Sequence, residues 1–149
     1  MCRERGVEND MKVLVADKIS DTGIEKLRAD GYEVDVKTGL TEDELVAIIP
    51  DYDAMIVRSA TKATRPIIEA GAKLKIIGRA GVGIDNVDVA AATERGVIVC
   101  NAPTSNIVSA AEQTITLMLA TARNTAQANA SMKQGKWERS KFTGTEVYE

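Results

Sequence analysis

Short runs of branched apolar residues recur along this chain, each separated from the next by a stretch with helical spacing. That alternation limits the fold more than any other feature. The runs are KVLVAD (Lys12 to Asp17), YEVDV (Tyr32 to Val36), AMIVRS (Ala54 to Ser59), LKIIG (Leu74 to Gly78) and VIVC (Val97 to Cys100). A continuous apolar run such as KVLVAD has the form of a strand covered on both faces, as in a parallel sheet. The intervening stretches are long enough for crossover helices.

Helix signals fill the gaps. A capping-box pattern, Thr22-Gly23-Ile24-Glu25, opens the first helix and Gly31 closes it. A second, Thr41-Glu42-Asp43-Glu44, opens a helix with Leu45, Ile48 and Ile49 on one face, which Pro50 ends. Pro66 follows Thr64-Arg65 near a first helical turn, where a missing amide costs nothing, and Gly71 stops that helix. VDVAAATER makes a fourth helix, capped by Asp85 or Asn86 and stopped by Gly96. Five strands and four helices in this order predict an α/β fold, a flavodoxin-like doubly wound parallel sheet with strand order 2-1-3-4-5.

From Thr104 to Gly135 the pattern turns helical for about 25 residues, or ~38 Å at 1.5 Å per residue, with another capping box at Ser109 to Glu112. Val108, Ala111, Ile115, Met118 and Ala122 form one stripe, while Leu117, Leu119 and Ala120 lie off it. A helix apolar on most sides must be covered on more than one side, so a homo-oligomer, or a domain outside this chain, is expected to pack on it. The tail after Gly135 has no period and is expected to be poorly ordered. Three segments follow: an extension over residues 1–10 expected to be disordered, a domain over 11–101, and a linker, long helix and tail over 102–149.

Composition narrows the function. The net charge is -3, which argues against nucleic acid as a partner. The opening MCRERGVEND has no apolar core, so neither a signal peptide nor a membrane anchor is expected there. Cys2 and Cys100 fit neither a disulfide framework nor a metal site, and a reducing cytoplasm is the expected location. The sequence has no histidine. That removes Ser-His-Asp and Cys-His machinery and the HExxH zinc motif.

The glycine loop GRAGVGIDN (Gly78 to Asn86) follows a strand and precedes a helix, so its amides face the sheet's carboxyl edge, where an anion can bind. Asn86 stands where a dinucleotide loop has its third glycine. The next strand ends in Cys100-Asn101 rather than in the acid that would hold a ribose. The loop is built for a smaller anion, or its glycines serve only a tight turn. Arg58, Arg79 and Asn101 occupy the ends of three successive strands, with Ser59 beside Arg58. In this topology those ends share one crevice. Two guanidinium groups, an amide and a nest of N–H groups predict a site for a small carboxylate or phosphate ligand. Asp17 reads as a capping or solvated carboxylate, and Lys62 as a further cation at the site or a solvated one.

VRSATK (Val57 to Lys62), GRAGVGIDNVD (Gly78 to Asp88), NAPTSN (Asn101 to Asn106), SAAE (Ser109 to Glu112) and GKWERSKFTGTE (Gly135 to Glu146) together resemble the D-2-hydroxyacid dehydrogenases, and within them the phosphoglycerate-oxidising branch. The resemblance implies an NAD-dependent oxidoreductase of serine biosynthesis in which Arg58, Ser59, Arg79, Gly81, Val82 and Asn101 face the anionic substrate. It places Val82 where the loop meets the nicotinamide end of NAD, and gives the long helix a part in a dimer. It also implies that the main NAD site and the catalytic Arg, Glu and His lie in a nucleotide-binding domain beyond this chain, which is then inactive alone. A sister enzyme acting on glyoxylate or hydroxypyruvate and a stand-alone small-anion-binding module are the rivals. A receiver-like regulator fits poorly, because Arg58 stands where a phosphoacceptor Asp is needed.

Overall fold

The structure, a computed structural model, describes residues 11–148. The expected disordered extension and Cys2 lie outside the described residues. The order of elements is β1 (Lys12–Val15), α1 (Asp21–Ala29), β2 (Glu33–Val36), α2 (Glu42–Ile48), a 3-10 turn (Ile49–Asp51), β3 (Ala54–Val57), α3 (Arg65–Ala70), β4 (Ile76–Arg79), α4 (Val89–Glu94) and β5 (Ile98–Asn101). After these come α5 (Ile107–Ala122), α6 (Thr125–Lys133) and a 3-10 turn (Arg139–Phe142). The five strands form one parallel sheet in the order 2-1-3-4-5, as the alternation predicts. The chain divides into two compact units, one ending at Ser105 and the other starting at Asn106.

In the first unit, side chains alternate across the sheet with the two-residue period of a strand. Leu14, Ala16, Met55, Val57 and Ile77 face one side. There Leu45 and Ile49 join them, with Ile67 and Ile68 of α3 and Ala91 and Ala92 of α4. Val13, Val15, Val34 and Ala54 face the other, against Ile24 of α1. Three helices thus cover one face and one covers the other. The KVLV run is buried as expected of a strand covered on both faces, whereas the edge strand β5 is not, with Ile98 63% exposed.

Several capping signals resolve differently from the sequence reading. The Thr41–Glu44 box forms: the Glu44 amide donates to Thr41 Oγ1 at 3.3 Å, and the Thr41 amide to Glu44 Oε2 at 2.8 Å. The Thr22–Glu25 box does not. α1 starts at Asp21 with Ser20 as its cap residue, so Thr22 is already inside the first turn and cannot cap it. The helix expected to end at Pro50 stops at Ile48, and Pro50 sits in the 3-10 turn that follows, where its lost donor is harmless. α4 is capped by Asp88, whose Oδ1 accepts from the Ala91 amide at 2.8 Å, and not by Asp85 or Asn86. Gly96 follows α4 with φ +68°, a conformation that favours glycine.

The second unit corrects the expected single helix. Asn124 takes a left-handed conformation, φ 51°, and breaks the helical stretch into α5 and α6. Asn is among the few residues other than glycine that visit that region routinely, and its Nδ2 reaches across to the Thr143 carbonyl at 3.4 Å. Ser109 opens no capping box, since α5 starts at Ile107 after Asn106. Val108, Ile115, Leu117, Met118 and Leu119 of α5 are all exposed. The tail is not formless either. Glu138 accepts from Ser131 Oγ at 2.8 Å and pairs with Lys141 at 3.4 Å, and the Thr145 amide donates to the Ala122 carbonyl at 2.8 Å.

Candidate anion site at the carboxyl ends of three strands

Register assembles the site. Val57 of β3 pairs with Arg79 of β4, and Arg79 with Asn101 of β5, so the three strands finish side by side. Each chain leaves its strand into a loop on the same edge of the sheet. All residues of the site belong to the first unit.

The loop after β3 is shaped by Asp17, at the end of β1. Asp17 is only 5% exposed, and its carboxylate accepts from the amides of Arg58 (2.6 Å), Ala60 (3.2 Å) and Thr61 (3.1 Å) and from the Thr61 hydroxyl (2.7 Å). Burial by itself raises a carboxyl group's pKa. Here the hydrogen bonds from Thr61, Arg58 and Ala60 outweigh it and hold Asp17 below the usual carboxylate range. Asp17 is therefore neither a helix cap nor a solvated group. It folds residues 58–61 into a rigid turn on which the Arg58, Ser59 and Lys62 side chains stand exposed.

Arg79 is held from two sides. Its Nε donates to Asn86 Oδ1 at 2.9 Å and to the Arg58 carbonyl at 3.0 Å. Its guanidinium also lies directly under the glycine loop. A Cβ on Gly81 would fall 2.7 Å from Arg79 Nη1 and 3.2 Å from Cζ, and one on Gly83 would fall 3.6 Å from Nη1. A side chain at Gly81 would therefore push the Arg79 guanidinium out of its present position. The loop is tied down at its far side: the Asn101 side-chain amide donates to the Val82 carbonyl, and the Ala102 amide to the Gly81 carbonyl at 3.0 Å. Among the described residues, no oxygen accepts from the amides of Val82, Gly83 and Ile84.

Of the residues singled out from the sequence, Arg58, Ser59, Arg79, Gly81, Val82 and Asn101 come together at this edge. Arg58 and Arg79 meet through the Arg58 carbonyl rather than through their charged ends. Asn101 uses one N–H to brace the loop. Sequence reasoning missed Asp17, Thr61 and Asn86 as organisers of the site. The only signal available was that each polar residue sits just past a strand or loop, since their partners lie up to 45 residues away.

What this arrangement can do is bind a compact anion. Arg58, Lys62 and Arg79 supply positive charge, the loop supplies unspent N–H donors, and Asp17 is already surrounded by donors of its own. It does not fit a dinucleotide. The position of the third glycine carries Asn86, whose side chain is committed to Arg79 and to the carbonyls of Arg58 and Thr61, and β5 ends without a carboxylate for a ribose. Among the described residues no cluster is able to hold a metal ion, and no helix is long and apolar enough to cross a membrane.

A family model for the D-isomer specific 2-hydroxyacid dehydrogenases, catalytic domain, matches residues 13–142. The chain belongs to that family. Its likeness to individual dehydrogenases is closer still. It is 56% identical over 137 residues to the D-3-phosphoglycerate dehydrogenase of Synechocystis sp., covering 92% of this chain and 24% of that protein. It is 55% identical over 137 residues to the D-3-phosphoglycerate dehydrogenase of Archaeoglobus fulgidus, covering 92% and 26%. The crystal structure of NAD+-bound 3-phosphoglycerate dehydrogenase from Entamoeba histolytica superposes with a TM-score of 0.68 at 33% identity, covering 76% of this chain and 40% of that one. The chain spans about a quarter of the length of the curated relatives it matches.

Proposed function

We propose that this chain is the N-terminal substrate-binding part of an NAD-dependent D-3-phosphoglycerate dehydrogenase, which oxidises 3-phosphoglycerate to 3-phosphohydroxypyruvate in the first step of L-serine synthesis. The observation that carries the reading is Arg79, clamped at Nε beneath a glycine loop with unspent amides and beside the turn that bears Arg58. The names of the relatives support the choice of substrate. Residues 11–101 form the substrate-binding domain in this reading, and 102–149 lead into a nucleotide-binding domain.

The chain's own residues bind and orient. The Nη edge of Arg79 and the amides of Val82 and Gly83 take the substrate carboxylate, while Arg58, Ser59 and Lys62 stand where a second anionic group of the same molecule can reach them. Asn101 holds the loop at the height this requires, and Val82 marks where the reacting carbon meets the cofactor. Bound NAD supplies the hydride acceptor, and its main site lies in protein outside these residues. Holding the substrate in one orientation is worth several kcal/mol of barrier. Exposed α5 is where a second copy of the parent protein packs.

Two measurements test this. Arg79→Ala in the full-length parent enzyme removes a charge-assisted contact worth ~1.5–3 kcal/mol, so KM for 3-phosphoglycerate rises on the order of 10- to 100-fold. An unchanged KM, or equal turnover of unphosphorylated hydroxy acids, rejects the assignment. The 149-residue chain alone leaves NADH unoxidised in the presence of 3-phosphohydroxypyruvate. Measurable turnover contradicts the division of labour.

A further inference from the structure

An arginine can grip an anion side-on, through Nε and one Nη, or end-on, through its two Nη groups. Arg79 has only the second choice. Its single Nε hydrogen is shared between Asn86 Oδ1 (2.9 Å) and the Arg58 carbonyl (3.0 Å). Asn86 is just as fully used. Its Nδ2 donates to the Thr61 carbonyl at 2.7 Å and to the Arg58 carbonyl at 3.0 Å, and its main-chain carbonyl accepts from the Ala63 amide at 2.8 Å. One side chain therefore joins the loop after β4 to the turn after β3 and sets the plane of the guanidinium between them.

We propose that Asn86 is a positioning residue for substrate: it orients Arg79 so that only its Nη edge meets the ligand, and it does so without touching the ligand itself. An asparagine suits this post because it offers an acceptor to Nε and two donors to the facing carbonyls at once. An aspartate has the acceptor but would set a carboxylate against two carbonyl oxygens. An alanine has neither: the Thr61 carbonyl loses its donor, and Nε is left with the Arg58 carbonyl alone to fix its direction. The inference rests on the reading of Arg79 as a substrate-binding arginine.

A double-mutant cycle in the full-length parent enzyme tests it, with KM for 3-phosphoglycerate, kcat and the dissociation constant of NADH measured for wild type, Asn86→Ala, Arg79→Ala and the pair. If Asn86 serves the substrate through Arg79, Asn86→Ala raises KM about 10-fold with kcat changed less, and the double variant is no worse than Arg79→Ala. NADH binding stays at the wild-type value in all three, which a general loss of structure would not permit. If Asn86→Ala leaves KM alone while Arg79→Ala raises it, or if the two effects multiply, the positioning role is overturned and the site reading stands. If Arg79→Ala itself leaves KM unchanged, the site reading falls first. Should Asn86→Ala fail to fold, Asn86→Asp keeps the size and the Nε acceptor. Its carboxylate offsets the Arg79 charge, so KM rises more than 10-fold, and a wild-type KM for that variant overturns the proposal.

Discussion

Adding one methyl group at Gly81 separates function from stability at this site. No positive φ is imposed on Gly81, so the backbone accepts alanine without strain, and the only obstacle is the Arg79 guanidinium 2.7 Å from the new Cβ. Ordinary contact begins near 3.4 Å, so the group must retreat by about 0.7 Å. A shift of that size stretches the 2.9 Å bond to Asn86 and the 3.0 Å bond to Arg58 toward the limit of hydrogen bonding. The guanidinium ends a flexible side chain, so the fold loses little, about 1 kcal/mol or less. The substrate loses its aligned partner, and a displacement approaching 1 Å costs up to ~100-fold in kcat/KM. Steady-state kinetics on full-length Gly81→Ala with 3-phosphoglycerate varied at saturating NAD+, beside a urea unfolding curve, gives both numbers. Gly78→Ala is the matched control. Its Cβ would meet Cys100 Sγ at 3.8 Å and Ile56 Cγ1 at 3.9 Å, both ordinary contacts, and it leaves kcat/KM within about twofold. Equal losses in the two variants, or none at Gly81, would refute the close-approach argument.

Asp17→Asn sets an NH2 group among amide and hydroxyl donors and lowers stability by ~2–4 kcal/mol, read from the midpoint of urea unfolding. Because the Asp17 pKa is lowered in the folded protein, its contribution is complete above the unfolded value of ~3.9 and fades as pH falls through the folded value. The asparagine variant lacks that part of the acid unfolding curve, and an unaltered curve counts against the hub. Gly71→Ala drives a Cβ to 2.8 Å from Leu74 Cβ, an atom no rotamer can move, and lowers stability by ~1–3 kcal/mol in the same assay, whereas a neutral effect would mean the loop yields. Asn124→Ala costs ~1 kcal/mol through its left-handed backbone, and Asn124→Gly costs less; the reverse order would show that the Thr143 bond, and not the backbone, holds the break.

The architecture of the first unit was legible because each of its signals is local. A strand buried by neighbours needs a run such as KVLV, a crossover needs helical spacing, and parallel pairing then leaves few orders for the strands. The chain order of Arg58, Arg79 and Asn101 was enough to place them on one edge, since every parallel strand ends on the same side. Three things were not legible. The Thr22 and Ser109 capping boxes matched a pattern that tertiary context overrode by starting α1 and α5 earlier in the chain. Asn124 broke a helix whose apolar spacing runs on past it, because one residue's backbone region leaves no trace in periodicity. The partners of Asp17 and Asn86 lie 7 to 44 residues away, and only the register of β1, β3 and β4 brings them into contact. The sequence by itself thus determined which elements form and which edge carries the charge. The tertiary structure decided which polar groups stay free for a ligand and which are consumed in holding the others, because hydrogen bonds between distant loops depend on register.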